Sequence, residues 1–467
     1  MAQVAAWMKN NGREVSGSDQ GIYPPMSDFL QSQGVEVRTP YDAANLTSAD
    51  TVVIGNALSR GNPEVEAALE KRIPFVSLPE LIHDEIIAGK LPAVVAGTHG
   101  KTTTTAALAS IFKRAGLCGG YMMGGLPIDW DQGFAVESGS WFAIEGDEYD
   151  SAFFDKRPKF LHYRPQLVLL NAIEFDHADI YTSLDDIFIQ FRRLIKLIPR
   201  NGCLVASADD PALRPLMEEA PCPVVPFGRG TTAKVKSEFI ELTPTGTKFR
   251  LRLASGREIE CETPLWGDHQ LSNLTGAAAA AEFAGATSED IAAGIASFHG
   301  IRRRLELKFE DGRRWVYDDF AHHPTAVKAA ILALRKRHPN LPIFAAFEPR
   351  SNTMVRRRFQ AELTEALLLA DGIAIGEIHR IEMIPKEDRL DAADIMGRLS
   401  AAGKEVCEEY DADSIARWLT EKLPPEAVIL TMSNGAFSGL VKRLIERLSG
   451  NKDIEDADIS GITLSQS

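Results

Sequence analysis

The sequence predicts three consecutive α/β domains, and two observations support this prediction. The chain has 467 residues, which is too long for one ordinary domain. Apolar runs typical of buried strands, such as DTVVIGNA, alternate with amphipathic runs typical of helices, such as NPEVEAALEKR. The predicted units are a Rossmann-like domain over 1–90, a P-loop ATPase-like central domain with a largely parallel sheet over 91–298, a Rossmann-like domain over 299–450, and a flexible tail over 451–467.

The first domain is predicted to begin inside a helix, AQVAAWMKNN, which ends at Asn-Gly. A short strand is expected over 13–16, and IPFVSLPELI supplies another strand and helix. The central domain has apolar strand runs in AVVAG, SWFAIEG and QLVLLNAI, then a strand-rich insert and an Ala-rich packed helix, GAAAAAEFAGA. The third has RRWVYDDF, IFAAFEP, GIAIGEI and AVILTMSN. Each domain therefore has strands for a sheet of its own.

Composition and charge narrow the class of protein. Hydrophobic residues make up 45% of the chain and charged residues 25%, a balance typical of a globular protein. The formal net charge of −14 argues against a general affinity for nucleic acid or for an anionic membrane. No apolar run approaches the roughly 20 residues of a membrane span, and the five cysteines lack zinc-site spacing. A cytoplasmic enzyme fits these features best.

The stretch AVVAGTHGKTTTTAALAS predicts a phosphate-binding loop between a buried strand and a helix, because N–H groups at a helix start attract anions. Lys101 is predicted to reach the β- and γ-phosphates of ATP, and the Thr102 hydroxyl to bind Mg²⁺. Val95 stands where the usual pattern has its first glycine, so the loop is a shortened variant. The residues predicted to surround ATP here are Gly97, Thr98, His99, Gly100, Lys101, Thr102 and Thr103.

Two later strands end in acidic loops that should face the same crevice, because the carboxyl ends of parallel strands meet at one edge of a sheet. The charged residues of these loops are Glu145, Asp147, Glu148, Glu174, Asp176 and His177. Glu145 comes first after its strand and is the predicted Mg²⁺ ligand, and His177 suits a second cation or a bridging water. The alternative is that these acids only cap helices, but a phosphate loop in the same domain favours the metal site.

The ordered motifs G-T-H-G-K-T, E-x-D-E, N-x-x-x-x-D-H and H-x-x-x-N before an Ala-rich helix resemble the Mur ligase family, ATP-dependent amide-forming ligases of peptidoglycan synthesis. The resemblance covers nearly the whole chain. Within the family, FFDKRPKFLHYRP and EPRSNTM are most similar to the member that joins L-Ala-γ-D-Glu-meso-diaminopimelate to UDP-N-acetylmuramate in peptidoglycan recycling. The sister ligase, which adds L-alanine to the same nucleotide sugar, lacks the first stretch and stays an alternative.

The resemblance implies ATP and Mg²⁺ as cofactors, with a carboxylate phosphorylated before an amine attacks the acyl phosphate. It assigns Lys101 to the transferred phosphoryl group, Thr102 and Glu145 to one Mg²⁺, and His177 to the second. Arg304 matches a linker arginine that approaches the γ-phosphate. Without the resemblance, the basic triplet around Arg304 would be interpreted as a solvated surface.

Further nucleotide contacts are implied for His269 and Asn273, which match an adenine-contact pattern although Gln270 replaces its usual Asn. Taken alone, GDHQLSN is an ordinary helix start. Asp319 matches an acidic residue that reaches the ribose. His322 and His323 are neighbours and would face opposite ways on a strand, so structural and substrate-contact roles both stay open.

The substrate sites are assigned by resemblance as well. Arg350, Ser351 and Asn352 are implied in binding the tripeptide, where a guanidinium can clamp a carboxylate. The loop implied in binding the UDP sugar contains Asn56, Ser59 and Asn62.

The sequence departs from the family in two places. Relatives begin with a strand and a glycine-rich turn for the UDP diphosphate, which the printed sequence lacks, so we expect either an upstream start or an altered UDP site. Arg192 stands where several relatives carry a carbamylated lysine. A nucleotide-binding homologue that cannot ligate is therefore a second alternative, while a plain kinase or ATPase is disfavoured by the acceptor domain after Arg304.

Overall fold

The computed structural model describes residues 1–22, 26–176, 178 and 180–450, and the backbone of Ile462–Thr463. Its elements form three α/β units in chain order, which confirms the predicted fold class. Among the described residues, no helix combines the length and the apolar character needed to cross a bilayer.

The first unit contains two separate pairs of strands. Its elements are α1 Ala2–Asn10, β1 Ser16–Ser18, α2 Met26–Ser32, β2 Glu36–Arg38, β3 Val52–Ile54, α3 Pro63–Glu70, β4 Phe75–Ser77 and α4 Leu78–Leu81, which continues as a π-helix over Ile82–Ile87. β1 pairs with β2 and β3 with β4, both in parallel. The strand expected over 13–16 starts only at Ser16, because the N–H groups of Gly12 and Arg13 donate back to Lys9 and Met8 and close helix α1.

The central unit is built on one large sheet. Its elements are β5 Leu91–Ala96, α5 Lys101–Arg114, β6 Cys118–Met122, β7 Phe134–Val136, β8 Trp141–Glu145, β9 Asp150–Ala152, β10 Asp155–Pro158, β11 Leu167–Leu170, α6 Leu184–Ile195, β12 Cys203–Ser207, α7 Arg214–Glu218, β13 Val224–Gly228, β14 Val235–Thr243, β15 Gly246–Arg252, β16 Glu258–Thr263, α8 Asp268–Phe283 and α9 Ser288–Ala296. The strand order is β16-β15-β14-β13-β12-β11-β5-β8-β6-β7, and β9 and β10 form a separate hairpin.

The strand pairing of this sheet places the loops that carry the predicted site. β5 lies in parallel between β11 and β8, with Val95 opposite Leu169 on one side and Glu145 on the other. The loops after these three strands therefore leave the sheet at the same edge. The strand-rich insert is also found, because β14, β15 and β16 pair antiparallel.

The third unit has its own seven-stranded sheet. Its elements are β17 Glu306–Glu310, β18 Arg314–Asp319, α10 Pro324–Arg337, β19 Ile343–Phe347, α11 Gln360–Leu367, β20 Gly372–Ile375, α12 Ala392–Ala401, β21 Glu405–Val406, α13 Ala412–Lys422, β22 Ala427–Met432, α14 Leu440–Ser449 and β23 Ile462–Thr463. The strand order is β21-β20-β19-β22-β18-β17-β23. Of the predicted tail, only β23 is described, paired with Phe309 and Glu310, so its predicted flexibility stays a prediction.

The central sheet is covered by apolar residues on both faces. On one face α5 packs against the Ala-rich helix α8 and against α9, where Gly294 lies so close that an added Cβ would be 2.6 Å from the Ile111 Cα. On the other face Val4 of α1 and Ile82, Ile86 and Ile87 of the first unit join the same buried cluster as Val94 and Leu170. The first two units therefore share a core.

We predict that Phe112→Ala, in helix α5, lowers the free energy of unfolding by about 3–5 kcal/mol, because Phe112 is fully buried and its loss leaves a cavity. Urea unfolding of the full chain measures this. Phe239→Ala on strand β14 is the control, since Phe239 is 47% exposed and should change stability by less than about 0.5 kcal/mol. Equal losses in the two variants would contradict the assigned core.

Candidate active site

The predicted phosphate loop passes closely against two neighbouring loops. Gly97 and Gly100 have φ values of +123° and +76°, which favour glycine. An added Cβ on Gly97 would lie 2.9 Å from the Ala172 oxygen, and one on Gly100 would lie 2.3 Å from the Asn273 Oδ1 atom. Helix α5 begins immediately afterwards, so the unpaired N–H groups of its first turn point back toward the loop. This geometry fits a phosphate group at the helix start.

Lys101 is held by a buried carboxylate. Its Nζ atom lies 2.8 and 2.7 Å from the two carboxylate oxygens of Glu148, whose side chain is only 3% exposed. Burial acts to lower the pKa of Lys101, but the surrounding carboxylates, Glu148 first among them, outweigh it and raise that pKa. Lys101 is therefore a fixed positive charge directly after the phosphate loop.

Thr102 and Glu145 form an oxygen-rich corner beside Lys101. The Thr102 hydroxyl lies 3.0 and 3.1 Å from the two carboxylate oxygens of Glu145, and the Gly124 N–H donates to one of them at 2.7 Å. A hydroxyl and a carboxylate at the start of a phosphate-binding helix are the hard oxygen donors that Mg²⁺ prefers. These donors fit the predicted metal site.

A second lysine, Lys159, was not singled out from the sequence. Its Nζ atom lies 2.6 Å from the Asp147 carboxylate, in the same acidic loop as Glu148. Burial acts to raise the pKa of Asp147, but Lys159 and Lys101 outweigh it and lower that pKa. The only signal for Lys159 in the sequence was its place in the FFDKRPKF stretch, whose contact with the site depends on how the β9–β10 hairpin folds back.

The loop after β11 is bonded to the phosphate loop. The Thr98 hydroxyl accepts a hydrogen bond from the Glu174 N–H at 2.9 Å and donates to the Glu174 backbone oxygen at 3.1 Å. Asn171, which sequence reasoning also missed, donates to the His99 backbone oxygen and lies 3.1 Å from the Thr104 hydroxyl. Asn171 is thus a buried side chain that fixes the shape of the loop.

The predicted adenine contacts lie at the start of helix α8. Asn273 is buried against Gly100 and donates to Gln270 at 3.4 Å. Burial lowers the pKa of His269 to about 4, with the charge of Asp268 opposing this shift and that of Arg304 adding to it. His269 is therefore neutral at pH 7 and can offer one nitrogen as a hydrogen-bond acceptor.

The linker residue Arg304 and the acid Asp319 meet beside these groups. Burial lowers the pKa of Arg304, while the charges of Asp319 and Glu145 act to raise it. The Arg304 guanidinium also lies 4.7 Å from the centre of the Phe320 ring. Asp319 accepts hydrogen bonds of 2.7 Å from the N–H groups of Leu305 and Ala321. Arg304 is thus placed within electrostatic reach of the proposed metal ligand Glu145.

The predicted peptide-binding residues follow strand β19 in the third unit. Arg350 lies 3.5 Å from the Glu348 carboxylate and packs against Gly435, where an added Cβ would be 2.5 Å from the arginine Cδ. The Ser351 hydroxyl accepts from the Met354 N–H, and Asn352 is exposed. Arg350 can therefore present its guanidinium at the loop surface.

The predicted sugar-binding residues lie in the first unit, on the loop after β3 and at the start of α3. Asn56 and Ser59 are exposed on the loop after β3, whereas the Asn62 side chain caps helix α3 by accepting from the Glu64 and Val65 N–H groups. The predicted second-metal ligand, His177, lies outside the described residues. The sugar-binding assignments of the first unit therefore stay predictions.

His322 and His323 occupy different surroundings. The His322 imidazole lies 3.9 Å from the Asp176 carboxylate, and burial lowers the pKa of His322 to about 4. His323 is buried against the rings of His99 and Phe359. Both histidines thus face the loop after β11 from the third unit.

We predict that ionisation of Asp319 lowers the stability of the fold as pH rises. Burial raises the pKa of Asp319 to about 6, against the opposing charge of Arg304, so its protonated form favours folding and stability falls as pH rises from about 4 to 6. Asp319→Asn should remove this loss, and its stability relative to wild type should grow by about 1–3 kcal/mol over that range.

Urea unfolding at pH 4, 5, 6 and 7 measures the effect. The control is Asp311→Asn. Burial acts to raise the pKa of Asp311, but the Arg314 guanidinium outweighs burial and lowers that pKa. Its carboxylate therefore stabilises the fold above the unfolded pKa, so the stability of the variant relative to wild type should be nearly constant from pH 5 to 7 and recover only as pH falls toward and below about 4. The same slope in both variants would contradict the assignment.

Comparison with known proteins shows which family this chain resembles. Three family models match: the Mur ligase family, catalytic domain over residues 1–89, the Mur ligase middle domain over 95–281, and the Mur ligase, glutamate ligase domain over 303–435. The UDP-N-acetylmuramate–L-alanyl-gamma-D-glutamyl-meso-2,6-diaminoheptandioate ligase of Escherichia coli is 37% identical over 461 residues, with 96% of each chain covered.

Two further proteins, one of them a solved structure, are similar to nearly the whole chain. The UDP-N-acetylmuramate–L-alanine ligase of Acidithiobacillus ferrooxidans is 30% identical over 452 residues, with 94% of each chain covered. The crystal structure of a murein peptide ligase from Psychrobacter arcticus 273-4 superimposes with a TM-score of 0.69 at 30% identity, with 97% of each chain covered. The chain belongs to the Mur ligase family.

Proposed function

We propose that this chain is an ATP-dependent ligase that joins the tripeptide L-Ala-γ-D-Glu-meso-diaminopimelate to UDP-N-acetylmuramate in peptidoglycan recycling. The observation that carries the proposal is the 37% identity, over 96% of the chain, with a relative named for these two substrates. The geometry around the phosphate loop supports it, since lysine, threonine and carboxylate groups converge there.

We propose ATP and Mg²⁺ as the cofactors. Gly97–Lys101 and the first turn of α5 would hold the phosphates, and His269 and Asn273 the adenine. Thr102 and Glu145 would hold one Mg²⁺ and His177 a second, and these ions would supply charge neutralisation at the phosphates when bound. The convergence of the Thr102 hydroxyl on both oxygens of Glu145 supports the first two ligands.

The protein groups act by positioning and by charge. The reaction needs a phosphoryl group transferred to the lactyl carboxylate of the sugar and an amine brought to the resulting acyl phosphate, without a protein nucleophile. Lys101 and Arg304 would neutralise charge that develops on the transferred group. Asp319 would accept from the ribose, and its buried position keeps water away from that contact.

The substrate carboxylates need positive partners. Arg350, with Ser351 and Asn352, would bind the tripeptide, which carries several carboxylates, in a bidentate hydrogen-bonded contact. Asn56, Ser59 and Asn62 would face the UDP sugar in the first domain. The side-chain oxygen of Asn62 caps α3, so only its amide N–H₂ group remains for a ligand contact.

ATP and nucleotide-linked sugars are cytoplasmic metabolites, so we propose a cytoplasmic location.

The decisive experiment incubates the protein with ATP, Mg²⁺ and UDP-N-acetylmuramate, together with either the tripeptide or L-alanine. Mass spectrometry of the products and ADP release are the readouts. We expect product with the tripeptide and none after chelation of Mg²⁺. Product with L-alanine alone would assign the sister activity, and nucleotide binding without any product would assign a homologue that cannot ligate.

We predict that Lys101→Ala lowers kcat by at least about 100-fold, because the transferred phosphoryl group loses its fixed positive partner. The variant also removes the buried Lys101–Glu148 ion pair, which should lower the melting temperature. The double variant Lys101→Ala/Glu148→Gln should recover stability but not activity. Lys422→Ala, at the exposed end of α13, is the control. Near wild-type turnover in Lys101→Ala would contradict the assigned role.

A further inference from the structure

A histidine in the stretch FFDKRPKFLHYRP is buried with an unpaired ring nitrogen. The His162 side chain is only 7% exposed and ends the 3₁₀ turn Lys159–His162. Its Nε2 atom lies 3.0 Å from the Asp155 Oδ2 atom, yet it has no hydrogen-bond partner among the described residues. At this short distance the cause is poor alignment of the two groups. A buried polar atom of this kind calls for another partner.

The charge states of the pair favour a cation as that partner. Burial lowers the pKa of His162, although the charge of Asp155 acts to raise it, so the imidazole is neutral at pH 7. The Arg157 guanidinium donates to both carboxylate oxygens of Asp155 and holds the pKa of that carboxyl below its usual range. A neutral imidazole can offer the lone pair of one nitrogen. That lone pair and the Asp155 carboxylate can together bind a cation.

Glu80 brings a second carboxylate to this place from the first unit. Its Oε2 atom accepts from the N–H group and from the hydroxyl of Ser77, both at 2.8 Å, in a capping box at the start of α4. One ligand atom from each of Glu80, Asp155 and His162 lies within 4.8 Å of the other two. Two carboxylates and one imidazole therefore converge between the two units.

The three donors are held by ordered backbone. Glu80 lies in the first turn of α4, Asp155 begins strand β10, and His162 ends a 3₁₀ turn. Beside them, Phe154 of the β9–β10 hairpin lies edge-on to Phe75 of β4, with ring centroids 5.0 Å apart. The hairpin is thus already packed against the first unit where the donors meet, so an ion would find them close to their binding positions.

We propose that Glu80, Asp155 and His162 form a binding site for a divalent transition-metal ion such as Zn²⁺, which fastens the β9–β10 hairpin to helix α4. Zn²⁺ accepts both imidazole and carboxylate donors at about 2.0–2.2 Å, so two donors 3.0 Å apart can share one ion. Mg²⁺ prefers oxygen donors alone. Asp155 divides its carboxylate between the ion and Arg157, as ligating carboxylates commonly do.

A second group of donors is set apart from this site. His99, Glu174 and His323 also bring ligand atoms within 4.8 Å of one another. They adjoin the phosphate loop and belong to the active site described above. The hairpin site shares no residue with them, so substitutions can distinguish the two places.

The experiment measures Zn²⁺ binding to the chelator-treated full chain by calorimetry, without nucleotide and with excess Mg²⁺ to occupy oxygen-only sites. His162→Ala should bind one equivalent fewer than wild type. Glu80→Gln keeps the capping box, which accepts Gln, but removes one negative charge. It should weaken that equivalent at least about tenfold. His299→Ala is the matched control, because the His299 side chain is 53% exposed and pairs with Asp129.

A stability readout accompanies the titration. An ion held between the hairpin and α4 binds the folded arrangement, so Zn²⁺ at about 100 times its Kd should raise the Tm of wild type by roughly 2–5 °C. His162→Ala should show no such rise. Neither readout depends on ligase turnover, so the test stands apart from the proposed function.

Three outcomes would overturn the proposal. The first is no Zn²⁺ binding by wild type, or equal binding in wild type, His162→Ala and Glu80→Gln. The second is an equivalent lost in His323→Ala but kept in His162→Ala, which would place the ion at the active site. The third is an X-ray absorption spectrum of the bound zinc with sulfur neighbours, which would assign it to cysteines. One imidazole with oxygen neighbours is the expected spectrum.

Discussion

The phosphate loop passes so close to the loop after β11 and to the start of α8 that two of its positions have no room for a Cβ atom. This steric constraint fixes the distance between three sequence segments that lie far apart in the chain. Asn171 and Asn273 fill the space around Gly100 and hold the loop backbone. Because the loop cannot relax, Lys101 and Thr102 leave it in fixed directions toward Glu148 and Glu145.

Charge compensation follows from this arrangement. The edge of the central sheet collects several carboxylates, and in the described structure Lys101 and Lys159 each have one of them as an ion-pair partner. A triphosphate that enters the site adds further negative charge, so it must share Lys101 with Glu148 and needs cations of its own. Arg304 adds a positive charge from the linker side. We therefore expect a bound triphosphate to bring cations of its own.

Sequence reasoning succeeded where the signal is local. The fold class followed from the alternation of apolar strands and amphipathic helices. The sequence also placed Lys101, Thr102 and Glu145 at strand and helix ends, where the structure has them side by side, while their roles stay predictions. The Lys101–Glu148 pair, the Lys159–Asp147 pair and the Thr353–Asp176 bond could not be predicted, because each depends on how a hairpin or a whole domain folds back onto the sheet. The strand expected over 13–16 was misplaced because the helix end extends through Arg13.

The shared core of the first two units determines which domain can move. Val4, Ile82, Ile86 and Ile87 are buried in the same cluster as Val94 and Leu170 of the central sheet, so the first unit cannot rotate without exposing apolar surface to water. Near the site, the third unit meets the central one through hydrogen bonds, an ion pair and ring contacts. For protein engineering, the third unit could be exchanged by a cut that leaves Ile301 with the central core to which it belongs, whereas a cut near residue 90 would divide a hydrophobic core.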